Sequence, residues 1–260
     1  YMKILICVPV FNRKVITELV LENMNKYKQD ATLWVYNDWS SEYDNDFLEP
    51  HCDKVFKLPK SKLEVIKNTK NRNGMGVQHL RWHQFREFIN MDDYDLVYFT
   101  DSDALHDPSY IDVLKSVHEK YTLKSKDGTQ KIKIPVCLYS TKWHLNSTVK
   151  EGNDVYIRKT APGISQLYTK DMANKIVEVL DSQPSDPDYA WDYRCLEYLG
   201  LPVVTTKTSY VEHFGADVDS MHTPHGDWER DRALNPTKYL EELRQPIIDY
   251  LEGRAEKPTV

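Results

Sequence analysis

The sequence predicts an α/β protein: a central, mostly parallel sheet flanked by helices. Two observations lead there. Apolar runs short enough for buried strands alternate with longer stretches whose apolar residues recur at helical spacing, from Lys3 to Tyr139. Repeated strand–helix–strand units of this kind imply parallel pairing, with the sheet covered on both faces. Length and composition agree. The 260 residues, 40% hydrophobic, 12% aromatic and 28% charged, leave room for a sizeable core and exclude a disordered or membrane-class chain.

In chain order, Lys3 to Val8 reads as the first buried strand. Its apolar run looks like the start of a secretory signal, but it is too short and is stopped by Pro9, Asn12, Arg13 and Lys14. A helix follows over 14–28, with Val15, Ile16, Leu19, Val20 and Met24 on one face. Leu33–Tyr36 is the second strand and Val55–Leu58 a short third. A helical stretch over 76–90 bears Val77, Leu80, Phe85, Phe88 and Ile89, and leads into the strand Leu96–Phe99. A helix over 109–121 and a strand Ile134–Tyr139 continue the alternation, with Lys124–Lys131 as an exposed turn between them. Beyond residue 140 the pattern is less regular. Near the end, Asn235-Pro236-Thr237 signals a helix start, and Leu240, Leu243, Ile247 and Leu251 follow at helical spacing to pack against the main body. Pro246 is expected to kink this helix or split it. No internal repeat or linker divides the chain, and no stretch approaches the roughly 18 apolar residues of a membrane span.

The net charge of −6, from 40 acids and 34 bases, argues against a dedicated non-specific nucleic-acid binder, which needs a cationic field. One tract is locally basic. Lys54, Lys57, Lys60, Lys62, Lys67, Lys70 and Arg72 stand against Glu64 alone, which reads either as a solvated face or as an attractor of phosphates. Cys7, Cys52, Cys137 and Cys195 lie far apart with no metal-ligand spacing, so neither a zinc site nor a disulfide framework is suggested, and a reducing, cytoplasmic setting fits.

The most informative segment is Tyr94 to Asp103, an apolar strand ending in the carboxylates Asp101 and Asp103 separated by Ser102. Ligands of open α/β sheets collect at the carboxyl ends of strands, and two hard oxygen ligands there suit Mg2+ or Mn2+ holding a phosphate. The bland alternative is a turn or helix cap, since Asp107-Pro108-Ser109 opens a helix just beyond. Three other segments stand in fixed order with this one. Val8-Pro9-Val10-Phe11-Asn12-Arg13 closes the first strand, and Tyr36-Asn37-Asp38-Trp39-Ser40-Ser41-Glu42 closes the second. Gly76-Val77-Gln78-His79-Leu80-Arg81 opens the helix before the D-x-D strand.

The ordered set resembles the family 2 glycosyltransferases of the GT-A fold. They carry a P-x-x-N strand end, a D-D-x-S turn, a G-x-x-x-A-R-N helix and a D-x-D in this sequence. The match spans residues 3–112 and extends through weaker motifs to 192. It implies a single domain over 2–260, with a nucleotide-sugar-binding half (2–112), an acceptor-side half (113–215), and a lid with C-terminal helices (216–260). The implied activity is metal-dependent transfer of a sugar, a hexosyl group, from a nucleotide-sugar to an acceptor hydroxyl, with inversion. A UDP-sugar is favoured over a GDP-sugar, and the metal is Mn2+ or Mg2+. The acceptor is a glycan, a protein or a modified nucleic-acid base.

By the same resemblance, Pro9 lines the base pocket with Asn12 and Arg13 beside it, and Asp38 receives the nucleobase or ribose. Arg81, Asp101 and Ser102 attend the donor, and Asp101 and Asp103 hold the metal. Each residue keeps a bland alternative: an Asx turn for Asp38, a plain surface position for Arg81. Asn37, Trp39 and Trp82 depart from the family's usual Asp, Gly and Asn. Ala161–Tyr168 resembles the family's acceptor-facing strand with its glycine, Gly163. The acidic motif that follows puts its second acid on Asp192, the candidate base that removes the acceptor's hydroxyl proton. Trp191 stands where the first acid belongs, Asp186 or Asp188 could serve instead, and a helix cap is the plain alternative for Asp192. Of His213, His222 and His225, His213 at the end of an apolar strand best matches the family's late metal ligand. A structural histidine is the competing reading, and the tract 216–235 has the polarity of a lid. Two other functions stay open at this level: a sugar-nucleotidyltransferase, though no glycine-rich loop follows Val8, and an inactive carbohydrate-binding protein on the same fold.

Overall fold

The structure, a computed structural model, describes residues 2–57, 77–124, 129, 131–182, 199–214 and 232–260. Its elements are β1 (Ile4–Val10), α1 (Lys14–Tyr27), β2 (Thr32–Asn37), α2 (Asn45–Leu48), β3 (Lys54–Lys57), α3 (Val77–Ile89) and β4 (Leu96–Phe99). Then come β5 (Ala104–His106), α4 (Tyr110–Lys120), β6 (Thr122–Lys124), β7 (Lys131–Lys133), β8 (Val136–Cys137), β9 (Thr148–Glu151) and β10 (Val155–Arg158). β11 (Gln166–Thr169), α5 (Lys170–Ser182), β12 (Val203–Thr206), β13 (Val211–His213) and α6 (Lys238–Leu251) complete the chain.

Nine strands form one sheet in the order β3-β2-β1-β4-β11-β8-β12-β10-β9. From β3 to β4 all neighbours are parallel, as are β8 and β12. Only β11 and β10 among these strands run against the rest, so the expected mostly parallel sheet is present, with antiparallel insertions in its second half. β1 is central because all seven of its residues are buried, the signature of a strand covered on both faces. The chain winds outward from β1 to β3 and then returns to place β4 on β1's other side, so the winding reverses between β1 and β4. That is where an open α/β sheet forms its crevice. The β1–β4 register stops at Cys7–Phe99, while β1 continues along β2 to Val10. Pro9, which lacks an N–H, therefore falls beyond the stretch that pairs on both sides.

The apolar run Ile134–Tyr139 is buried throughout, but only Val136–Cys137 are strand. Pro135 removes a donor, so the run is apolar because it is enclosed, not because it is laddered. Pro246 neither splits nor ends α6, which runs unbroken through it. Both Pro246 and Glu242, whose carbonyl loses its partner, are exposed, so water can take up that carbonyl, while Leu240 and Ile247 anchor the helix inward. α3 is tied to α5 by Trp82 and Arg86, which donate to Asp181 Oδ1 at 3.0 and 2.5 Å. Among the described residues no helix is long and apolar enough to cross a membrane.

Candidate active site

β4 ends at Phe99, and the turn through Asp101 and Asp103 delivers the chain to β5, a short strand outside the main sheet. β5 pairs antiparallel with β13, with Ala104 opposite His213 and Leu105 opposite Glu212. The Phe214 N–H donates to the Asp103 carbonyl at 2.9 Å. This register sets His213 beside Asp103. Ligand atoms of Asp101, Asp103 and His213 all lie within 4.8 Å of one another. His213 Nε2 is 3.2 Å from Asp103 Oδ2, and the His213 ring lies against Tyr139 at 6.3 Å.

Two arginines close on the same carboxylates. Arg13 Nη2 is 2.7 Å from Asp103 Oδ2, and Arg81 Nη2 is 3.8 Å from Asp101 Oδ1. Arg13 reaches the site because Asn12 and Arg13 both adopt left-handed backbone, at φ 51° and 57°. Two non-glycine residues in that region store strain, which the surroundings must hold. Asn12 supplies the hold: its Oδ1 accepts from the Ser41 N–H at 2.8 Å and its carbonyl accepts from the Tyr43 hydroxyl at 3.0 Å. The structure thus places Asn12 as the clip between the β1 and β2 ends. Arg81 is buried on α3, lies over the Phe99 ring at 4.3 Å and donates to the Gly163 carbonyl at 3.4 Å. It is no plain surface residue. Trp82, next to it, donates to Asp181 on α5.

The two carboxyl groups are driven apart. Burial, reinforced by the charge of Asp103, raises Asp101 to about 6. Burial also pushes Asp103 upward, but His213 and then Arg13 outweigh it and hold Asp103 well below the usual carboxylate range. Oδ1 of each carboxylate is buried without a hydrogen-bond partner among the described residues. A carboxylate oxygen from each acid and an imidazole nitrogen, all within 4.8 Å of one another, fit a divalent cation, and the mixed set suits Mn2+ as well as Mg2+.

Pro9 and Asp38 sit at the carboxyl ends of β1 and β2, the same sheet edge, and both are buried. Next to Asp38, Asn37 Oδ1 accepts from the Ser40 N–H at 2.9 Å and so holds the turn that follows β2. Ser102 is buried between the two acids. Asp192, Asp186, Asp188, Trp191, His222, His225, Gly76, most of the basic tract and residues 216–231 of the expected lid lie outside the described residues. Sequence reasoning missed the buried Glu212 and its half-buried partner Arg244, 2.6 Å apart, which join β13 to α6. The available signal was a lone acid in the apolar strand Val211–Phe214, since such a group needs a partner.

No protein-family model and no curated protein matches the sequence. Solved structures do match in fold. The chain is similar to A197 from STIV, with TM-score 0.43 and 12% identity over 82% of this chain and 86% of that one. It is similar to the mannosyltransferase PcManGT from Pyrobaculum calidifontis, in complex with GDP-Man and Mn2+, with TM-score 0.48 and 12% identity over 79% of this chain and 55% of that one. It is also similar to S. aureus TarS 1-349, with TM-score 0.49 and 14% identity over 83% of this chain and 62% of that one. At such identities the likeness concerns the outline of the fold and not the role of any side chain.

Proposed function

We propose that the chain is a metal-dependent glycosyltransferase of GT-A type, moving a hexosyl group from a nucleotide-sugar to an acceptor hydroxyl with inversion. One observation carries the reading: Asp101, Asp103 and His213 converge at the crevice between β1 and β4, with Arg13 and Arg81 on the same carboxylates. Asp101, Asp103 and His213 would hold Mn2+ or Mg2+, which when bound neutralises charge on the leaving diphosphate. Arg13 and Arg81 hold the carboxylates in place and present guanidinium groups toward an anionic donor. Pro9 and Asp38 take the nucleoside end, with Asp38 accepting from base or ribose, and a UDP-sugar is the favoured donor. Asp192 removes the acceptor's hydroxyl proton as the oxygen attacks the anomeric carbon, and the protein acts in the cytoplasm on a glycan, a protein or a modified nucleic-acid base.

The test is a thermal-shift and calorimetric screen of UDP- and GDP-sugars with and without Mn2+. A donor that binds only with metal, and fails to bind Asp103→Ala, is the expected result. Metal-independent nucleotide binding that survives Asp103→Ala overturns the reading.

A further inference from the structure

Arg158, the last residue of β10, has 0% of its surface exposed. Its guanidinium donates from Nη2 to Ser140 Oγ at 3.1 Å and lies 4.5 Å over the Tyr156 ring. Among the described residues Nε and Nη1 have no acceptor and no carboxylate pairs with the group. Arg13, Arg81 and Arg244, by contrast, each face an acid. An arginine cannot shed its proton to escape burial. Water can satisfy its N–H groups but leaves its charge, and the face of one tyrosine offsets only part of the cost of an unpaired buried cation.

The surroundings point to what balances it. Thr141, next to Ser140, bridges Ala233, and the Leu234 N–H donates to the Ser140 carbonyl at 2.7 Å. Against this segment lies a cleft of about 270 Å3 lined by Lys142, Arg232, Ala233 and Leu234. Thr141 Oγ1 and Thr205 Oγ1, the latter on the residue register-paired with Tyr156, are buried hydroxyls that also lack a hydrogen-bond partner. Tyr139, at the other end of the same segment, lies against His213. One segment, Tyr139 to Lys142, therefore runs from the His213 ring through Ser140, which holds Arg158, to the cationic cleft.

We propose that Arg158, with Lys142 and Arg232 at the mouth, forms an oxyanion site that takes a phosphate group carried by the acceptor. Arg158 keeps two donor nitrogens unused, and guanidinium groups match phosphate oxygens. The anion site stands on Arg158's burial and pairing alone, and its assignment to the acceptor rests on the transferase reading above.

The experiment titrates inorganic phosphate into the full chain without metal or nucleotide, reading the melting temperature. The wild type is expected to melt higher as phosphate fills the site, climbing with the logarithm of concentration. Arg158→Met should melt no lower than wild type in phosphate-free buffer and lose the phosphate response, while keeping the wild-type response to Mn2+. Lys142→Gln should weaken phosphate several-fold without changing the phosphate-free melting point, and acetate should bind about tenfold more weakly than phosphate. No response in the wild type, a response retained in Arg158→Met, a lower phosphate-free melting point for that variant, or an equal response to acetate overturns the proposal. A wild type that responds to phosphate but not to Mn2+ keeps the anion site and overturns the transferase reading instead.

Discussion

Asp101 and Asp103 stand two positions apart, yet their surroundings push them in opposite directions, and substitutions should expose that. Asp103 titrates lower in the folded chain than in the unfolded one, so it contributes stability above its unfolded pKa and loses it as pH falls through the folded value. Asp101, raised to about 6, does the reverse: its charged form costs stability at neutral pH, and the cost fades as pH drops below 6. In metal-free protein at pH 7, Asp103→Asn is expected to destabilise by on the order of 3 kcal/mol, because it leaves Arg13 without its carboxylate. Asp101→Asn is expected to be neutral or to stabilise by about 1–3 kcal/mol. Urea unfolding checks both, and equal signs for the two variants would show that the pair is not split in this way. Asp101 and Asp103 were legible beforehand because they end an apolar strand, whereas Arg13, Arg81 and His213 were singled out through the family resemblance. The pairings among them were not, since the left-handed turn at Asn12–Arg13 leaves no mark in composition.

At the scale of elements, β13 is held from two sides: its backbone pairs with β5, and its Glu212 is clamped by Arg244 from α6. Neighbouring strand residues point to opposite faces, so the clamp on Glu212 steadies the strand while His213 turns toward Asp103. Arg244→Met should therefore strand a buried carboxylate, lower stability by about 3 kcal/mol and weaken Mn2+ binding. The double variant Arg244→Met/Glu212→Gln should recover most of the stability. Calorimetry and unfolding on the four proteins of the cycle read both effects, and additive losses would mean that the pair does not act as a unit. β1 and β4 could be read from sequence because uninterrupted burial writes an uninterrupted apolar run. β9, β10 and β12 could not, being four residues each with little or no apolar alternation, and β11 was visible only through the resemblance of Ala161–Tyr168.

At the scale of the molecule, burial holds His106 and His118, among the described residues, toward the neutral form. Burial lowers His106 to about 3 and His118 to about 4, the latter helped by Lys133. His106 shares a buried chain of hydrogen bonds with Tyr98 and Ser165, and its backbone N–H and carbonyl pair with the Asn23 side chain, so the core depends on the uncharged ring. Each histidine binds a proton in the unfolded chain, but not in the folded one, from about pH 6.5 down to its lowered value. Stability should fall with pH across that window, by up to about 1.4 kcal/mol per pH unit for each group. Unfolding midpoints between pH 7.5 and 4.5 test this, and a flat profile would contradict it.

The two-stranded pairing of β5 with β13 also has a consequence for biosynthesis. Asp103 and His213 come from opposite ends of the ribbon's long connection, so their meeting waits until the chain through His213 has left the ribosome. The first half can lay down β1, β2 and β4 with both acids in place and still lack the imidazole. The group Asp101, Asp103 and His213 is therefore complete only in a chain that has folded through β13.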